Sequence, residues 1–147
     1  MPSFDLASEN DTARLGARLA GLARPGDVLA LSGGLGAGKT ALARAFIRAY
    51  LGNPQEEVPS PTFTLAQIYE GEKGQVWHLD LYRLEKPDDA LELGIEEAFQ
   101  DAVSLIEWPE RLGALLPARA LHVDLAFGAG EGERRAQLTG WRERLDA

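Results

Sequence analysis

Leu15, Leu19 and Leu22 follow a polar stretch in which Ser8 and Asp11 stand three apart. That is a helix-cap spacing followed by an i, i+4, i+7 stripe, and it predicts an amphipathic helix ending near Pro25-Gly26. Val28 to Leu31 is a short, continuous apolar run that leads into glycines, after which Leu42, Phe46 and Tyr50 recur every four residues until Gly52. The pattern reads strand, loop, helix. Thr62 to Tyr69 and Gln75 to Tyr82 are rich in Thr, aromatic and branched residues, with EGEKG between them. A hairpin fits that pattern best.

Pro87-Asp88-Asp89 opens the run ALELGIEEAF, whose composition favours helix although Gly94 interrupts it, so two short helical pieces are expected. Ala102 to Ile106 reads as a buried strand with Glu107 at its carboxyl end, and Pro109 opens a further helical segment through Leu115. Leu121, Val123 and Leu125 alternate with His122, Asp124 and Ala126, and GAGEGE separates them from Arg134 to Thr139. This suggests a second hairpin, at an edge of the sheet, before a helical tail. No repeat or long linker divides the chain. The expectation is one α/β domain over residues 1–147, with three layers: a mixed sheet, parallel in its centre and antiparallel at the hairpins, with helices on both faces.

The chain is 147 residues long and 45% hydrophobic, enough to bury a core without staples. Its 23 acidic residues against 15 Lys and Arg leave a net charge of -8, and this argues against autonomous binding of nucleic acid. No cysteine is present, which excludes disulfides, thiolate zinc sites and cysteine nucleophiles, and only two histidines remain for imidazole chemistry. The acidic start and the lack of a long apolar run lead to the expectation of a soluble, cytosolic protein.

Chemistry concentrates in Gly33-Gly34-Leu35-Gly36-Ala37-Gly38-Lys39-Thr40, which satisfies G-x-x-x-x-G-K-[ST] between an apolar strand and an amphipathic helix. Glycines let backbone amides turn inward around phosphate oxygens, and the helix that follows presents free N–H groups and a positive dipole end. Gly33, Leu35, Gly36, Ala37 and Gly38 are therefore expected around the phosphates. Lys39 reaches the β and γ phosphates and Thr40 ligates Mg²⁺. Such a loop needs a carboxylate on a neighbouring strand, and both Asp80, closing VWHLD, and Glu107, closing VSLIE, qualify. Spacing alone does not choose between them. Glu107 follows the more continuously apolar run, as a central strand should, so the metal is assigned to Glu107. Asp80 then orients or deprotonates the attacking water, or holds a metal-bound water. A helix cap or solvated strand end is the bland reading of either acid. Ser60-Pro61-Thr62 lies where a switch loop would return toward the γ-phosphate, although alone it reads as an ordinary turn.

Four ordered motifs, GGLGAGKT, SPTF, HLDLYRL and IEWPE, at Gly33 to Thr40, Ser60 to Phe63, His78 to Leu84 and Ile106 to Glu110, resemble the TsaE-type ATPases of bacterial tRNA threonylcarbamoyladenosine biosynthesis. The resemblance implies a small P-loop ATPase that works with the TsaD and TsaB proteins, its hydrolysis resetting a complex that forms N6-threonylcarbamoyladenosine at tRNA position 37. It implies that Thr40 and Glu107 hold Mg²⁺, that Asp80 supports hydrolysis, and that Thr12 contributes to the nucleotide pocket. Ala41, Thr62, Trp108 and Arg134 complete the expected nucleotide contacts, with core or interface packing the bland reading of Trp108. The chain departs from the family pattern at Gly34, usually Asp, and at Ala41, often Thr. These changes bear on affinity, since Gly34 drops a charge near the phosphates and Ala41 keeps its amide.

His78 reads equally as a packed histidine or a residue of the site, and Arg83 as a phosphate or partner contact or as a salt bridge. Glu85 to Asp101 reads as a solvated face that, if it has a function, meets a basic partner. Two other functions compete with the ATPase: a small-molecule P-loop kinase, which needs a lid of arginines where this chain offers Arg134-Arg135, and a binding module without turnover.

Overall fold

The computed structural model describes residues 2–34, 36–61 and 64–146. The two continuous apolar runs become neighbouring strands, β2 (Val28–Ser32) and β5 (Val103–Glu107), and pair in parallel with Leu31 opposite Glu107. Around them, among the described residues, lie β1 (Ser3–Leu6), β3 (Ala66–Gly71), β4 (Gly74–Asp80), β6 (Leu121–Phe127) and β7 (Arg134–Thr139). The sheet runs β1-β7-β6-β2-β5-β4-β3. Its four inner strands from β6 to β4 are parallel, and the outer pairs β1/β7, β7/β6 and β4/β3 are antiparallel.

Both faces are covered because both carry apolar side chains. Val103 and Leu105 of β5 pack with α1 (Glu9–Leu22) and α2 (Lys39–Leu51), through Leu15, Leu19, Leu42 and Phe46. Ile106 and Val28 point the other way, into a second cluster with Trp77, Leu79, Ile95 and Leu112. That cluster is roofed by α3 (Ile95–Asp101), by the 3-10 segment Pro87–Leu93 and by the 3-10 stretch Pro109–Leu115, which is kinked at Gly113. Gly94 separates the first of these from α3, so the expected two helical pieces are present. The short α4 (Arg142–Asp146) closes the chain, its Arg144 paired with Asp27 at 2.6 Å. This is the mixed, three-layered α/β architecture the residue pattern predicts.

Three local expectations are corrected. β3 begins at Ala66 rather than Thr62, and its turn is the two residues Glu72 and Lys73, because Gly71 pairs with Gly74 and extends the ladder into what reads as a loop. β4 ends at Asp80 rather than Tyr82: Asp80 is the last residue in register with β5, and beyond it the chain turns, with Leu84 N–H donating to Leu81 O at 3.0 Å. The β6/β7 hairpin is not at an edge, since Ser3 to Leu6 form β1 on its outer side. Ser8 does occupy the N-cap of α1, but its side chain makes no capping bond; Asp11 reaches back instead, accepting the Ala7 N–H at 3.0 Å.

Candidate functional site

Parallel pairing brings three strand ends to one place. Asp80 of β4 stands in register with Glu107 of β5, and Glu107 with Leu31 of β2, so both carboxylates lie to one side of the loop that leaves β2, Glu107 on the adjacent strand and Asp80 one strand further. The loop starts at Gly33, whose φ of 147° favours glycine. A Cβ there would sit 2.5 Å from the Leu125 carbonyl oxygen of β6, so only glycine lets the loop pass this close to the neighbouring strand. Gly38 caps α2, which begins at Lys39 and places Lys39 and Thr40 in its first turn.

Lys39 is buried, with 6% of its surface exposed. Its Nζ donates to the Gly33 carbonyl and, at 3.2 Å, to the Gly34 carbonyl, and it lies 3.8 Å from the centroid of the Trp108 ring. Burial pushes its pKa below the ordinary lysine value, against the opposing charges of Glu107, Glu110 and Asp80. Trp108 adopts a left-handed backbone, φ 60° and ψ 52°, and its ring meets that of Tyr82 at 4.9 Å.

Glu107 is the most connected acid of the site. The Thr40 hydroxyl donates to its carboxylate, 3.0 Å from Oε1 and 3.1 Å from Oε2, and His78 Nε2 lies 2.6 Å from Oε2. These bonds replace the water that a carboxylate with 3% exposure has lost. Asp80, also buried, accepts the Tyr82 backbone N–H at 3.1 Å and leaves its other oxygen without a protein donor among the described contacts. Thr40, Glu107 and Asp80 offer hard oxygens, the donor type magnesium takes. Among the described residues, no cluster of three or more His, Cys, Asp or Glu side chains forms a cage for an ion.

These groups line one cavity of about 470 Å³. Of the residues expected from sequence, Gly36, Ala37, Gly38, Lys39, Thr40 and Ala41 of the loop and α2 line it, as do Asp80, Glu107 and Trp108. Thr12 and Arg134 line it too. Arg134 donates to the Gly36 carbonyl at 3.0 Å and lies 4.5 Å from the centroid of the exposed Phe127 ring. Gly33 is not on the wall; its carbonyl is an acceptor for Lys39. Leu35 and Thr62 lie outside the described residues. Ser60, beside Thr62, does reach the cavity. Sequence reasoning missed Ser8, Glu9 and Gly132 as lining residues. Ser8 was legible only as a helix cap, although a capped N-terminus that opens on the loop is a signal for anions. The contact between His78 and Glu107 follows from alternation along β4 only once β4 is known to pair with β5.

A protein-family model described as threonylcarbamoyl adenosine biosynthesis protein TsaE matches residues 6–136. The tRNA threonylcarbamoyladenosine biosynthesis protein TsaE of Rickettsia conorii is 41% identical over 120 residues, covering 82% of this chain and 68% of its own. Its namesake in Bacillus subtilis is 38% identical over 128 residues, covering 86% of this chain and 78% of its own. The crystal structure of Bacillus subtilis YdiB superposes with a TM-score of 0.79 at 28% identity, covering 99% of this chain and 91% of that one.

Proposed function

The chain belongs to the TsaE family, and on that premise we propose that it is a single-domain, cytoplasmic P-loop ATPase that binds Mg–ATP and hydrolyses it to support N6-threonylcarbamoyladenosine formation at tRNA position 37, together with the TsaD and TsaB proteins. The observation that carries this reading is the convergence of Lys39, Thr40, Asp80 and Glu107 on one cavity at the carboxyl ends of β2, β4 and β5. Open α/β sheets bind their ligands in that position.

The loop amides and the N-terminus of α2 receive the phosphates. Lys39 gives up the Gly33 and Gly34 carbonyls for phosphate oxygens, remaining close to its present place. Thr40 and Glu107 hold the magnesium, which when bound neutralises charge on the phosphoryl oxygens. Asp80, whose second oxygen has no donor among the described residues, orients the attacking water and accepts its proton. Thr12, Ala41, Trp108 and Arg134 contact the remainder of the nucleotide.

The cavity is partly open to solvent and offers Arg134 as its second cation, already bonded to Gly36. Slow turnover by the protein alone follows, because little excludes water or adds positive charge at the γ-phosphate. A partner surface supplies both. The net charge of -8 assigns tRNA contact to the partners rather than to this chain. Phosphate release and tRNA binding, measured for the protein alone and with TsaD and TsaB at one salt concentration, test the reading. Release accelerated by the partners, with no organic phosphate acceptor, is expected. Fast release unchanged by them, phosphate passed to a small molecule as a kinase would, or tight tRNA binding by the chain alone contradicts it.

A further inference from the structure

Among the described residues, three buried side-chain atoms have no hydrogen-bond partner: Tyr69 Oη, Ser104 Oγ and His78 Nδ1. Of these side chains, His78 also bonds directly to the acid of the site. It is fully buried on the face of β4 that carries Asp80, between Leu105 of β5 and Gln67 of β3. Its Nε2 lies 2.6 Å from Glu107 Oε2. Toward a carboxylate acceptor, Nε2 carries the hydrogen, so the ring is committed to Glu107 at one nitrogen and leaves the other unpaired. Packing alone would be served by an apolar side chain, without an unpaired nitrogen in the core.

The terminal torsion of a glutamate is a broad, roughly two-fold rotor. Thr40 Oγ1 sits almost equally far from both oxygens of Glu107, 3.0 and 3.1 Å, so its single hydrogen does not choose between them. The bond from His78 does choose: it ties Oε2 and stops the carboxylate from turning. Building on the magnesium–nucleotide reading of this cavity, we infer that His78 is a positioning residue that holds the Glu107 carboxylate in the orientation in which it and the Thr40 hydroxyl share the metal. It touches neither nucleotide nor metal and acts through Glu107.

The test compares ADP affinity in Mg²⁺ with ADP affinity in EDTA for the wild type, His78→Gln and His78→Asn, with thermal melts to establish that each is folded. The glutamine amide nitrogen reaches the place of Nε2, and that of asparagine only the place of Nδ1. The Mg²⁺-to-EDTA affinity ratio should stay within about twofold of wild type in His78→Gln and fall about tenfold or more in His78→Asn, the usual effect of removing a group that orients a metal ligand. The affinity in EDTA should be unchanged in both. A wild-type ratio in His78→Asn, an equal fall in both variants, or a loss confined to the EDTA affinity would overturn the inference while leaving the nucleotide site in place. A wild-type protein that binds ADP equally well with and without Mg²⁺ would overturn both readings.

Discussion

Helices α1 and α2 both contribute to the cavity, Thr12 from one and Lys39 and Thr40 from the other, and a glycine lies where they come closest. A Cβ placed on Gly16 would lie 2.8 Å from Ala45 Cβ, 3.0 Å from Phe46 N and 3.2 Å from Ala45 C. Two of these atoms are α2 backbone, so relief requires the whole helix to shift by a few tenths of an ångström. Gly16→Ala gains about 1 kcal/mol of helix propensity and meets an overpacking cost of about 1–3 kcal/mol. The cost wins, for a net loss of about 1 kcal/mol and a fall of about 3 °C in Tm. Gly21, in the same helix, has nothing within 4 Å of its added Cβ. Gly21→Ala should therefore stabilise the protein, by about 0.5 kcal/mol because the site is close to the end of the helix. Urea unfolding of both variants at unchanged m-value reads the difference. Gly16→Ala should also bind ADP more weakly, since a shift of α2 displaces Lys39, Thr40 and Ala41 relative to Thr12, all of which line the cavity. Equal stabilisation by the two substitutions would refute the argument that the contact between α1 and α2 is at its closest limit.

Lys39→Ala should weaken ADP and ATP binding, whereas Asp80→Ala and Glu107→Ala should act mainly on magnesium dependence and on turnover with partners present, by on the order of 100-fold; phosphate release beside nucleotide titration separates these effects. Glu107→Ala should also lower stability by about 2 kcal/mol, measured by urea unfolding, because it leaves the buried His78 donor without an acceptor. The hydrogen bond from Arg14, with those from the Ala7 and Ser8 backbone, holds the Asp11 carboxyl below its ordinary value of 3.8. A lowered folded-state pKa contributes stability above the unfolded value and loses it as pH falls through the folded one. The difference in Tm between wild type and Asp11→Asn should thus be constant near neutrality and close below about pH 4.

Much of the fold was legible because its centre obeys simple periodicities. Continuous apolar runs such as Val28 to Leu31 are buried on both faces, as central parallel strands are, and Leu42, Phe46 and Tyr50 mark the buried stripe of α2. The misreadings lie where pairing partners far along the chain override local pattern. Ser3 to Leu6 is too short to announce a strand and becomes one only because the edge of β7 needs a partner. Gly71 looks like loop and is strand because Gly74 faces it. At the site, the loop and both acids were readable from motif and strand ends, and the apolar run that favoured Glu107 as the metal acid does form a central strand, β5, directly beside β2. That His78 contacts Glu107 was not readable, since 29 residues separate them and only the register of β4 with β5 brings them together.

The central claim is that the Gly33–Thr40 loop, with Thr40 and Glu107, is a magnesium–nucleotide site. Its most direct test is calorimetric titration of ADP in Mg²⁺ into the wild type and into Lys39→Ala. One nucleotide bound per chain, with binding severely weakened in Lys39→Ala, is the predicted result. No heat of binding in the wild type, or equal affinity in the two proteins, would contradict it.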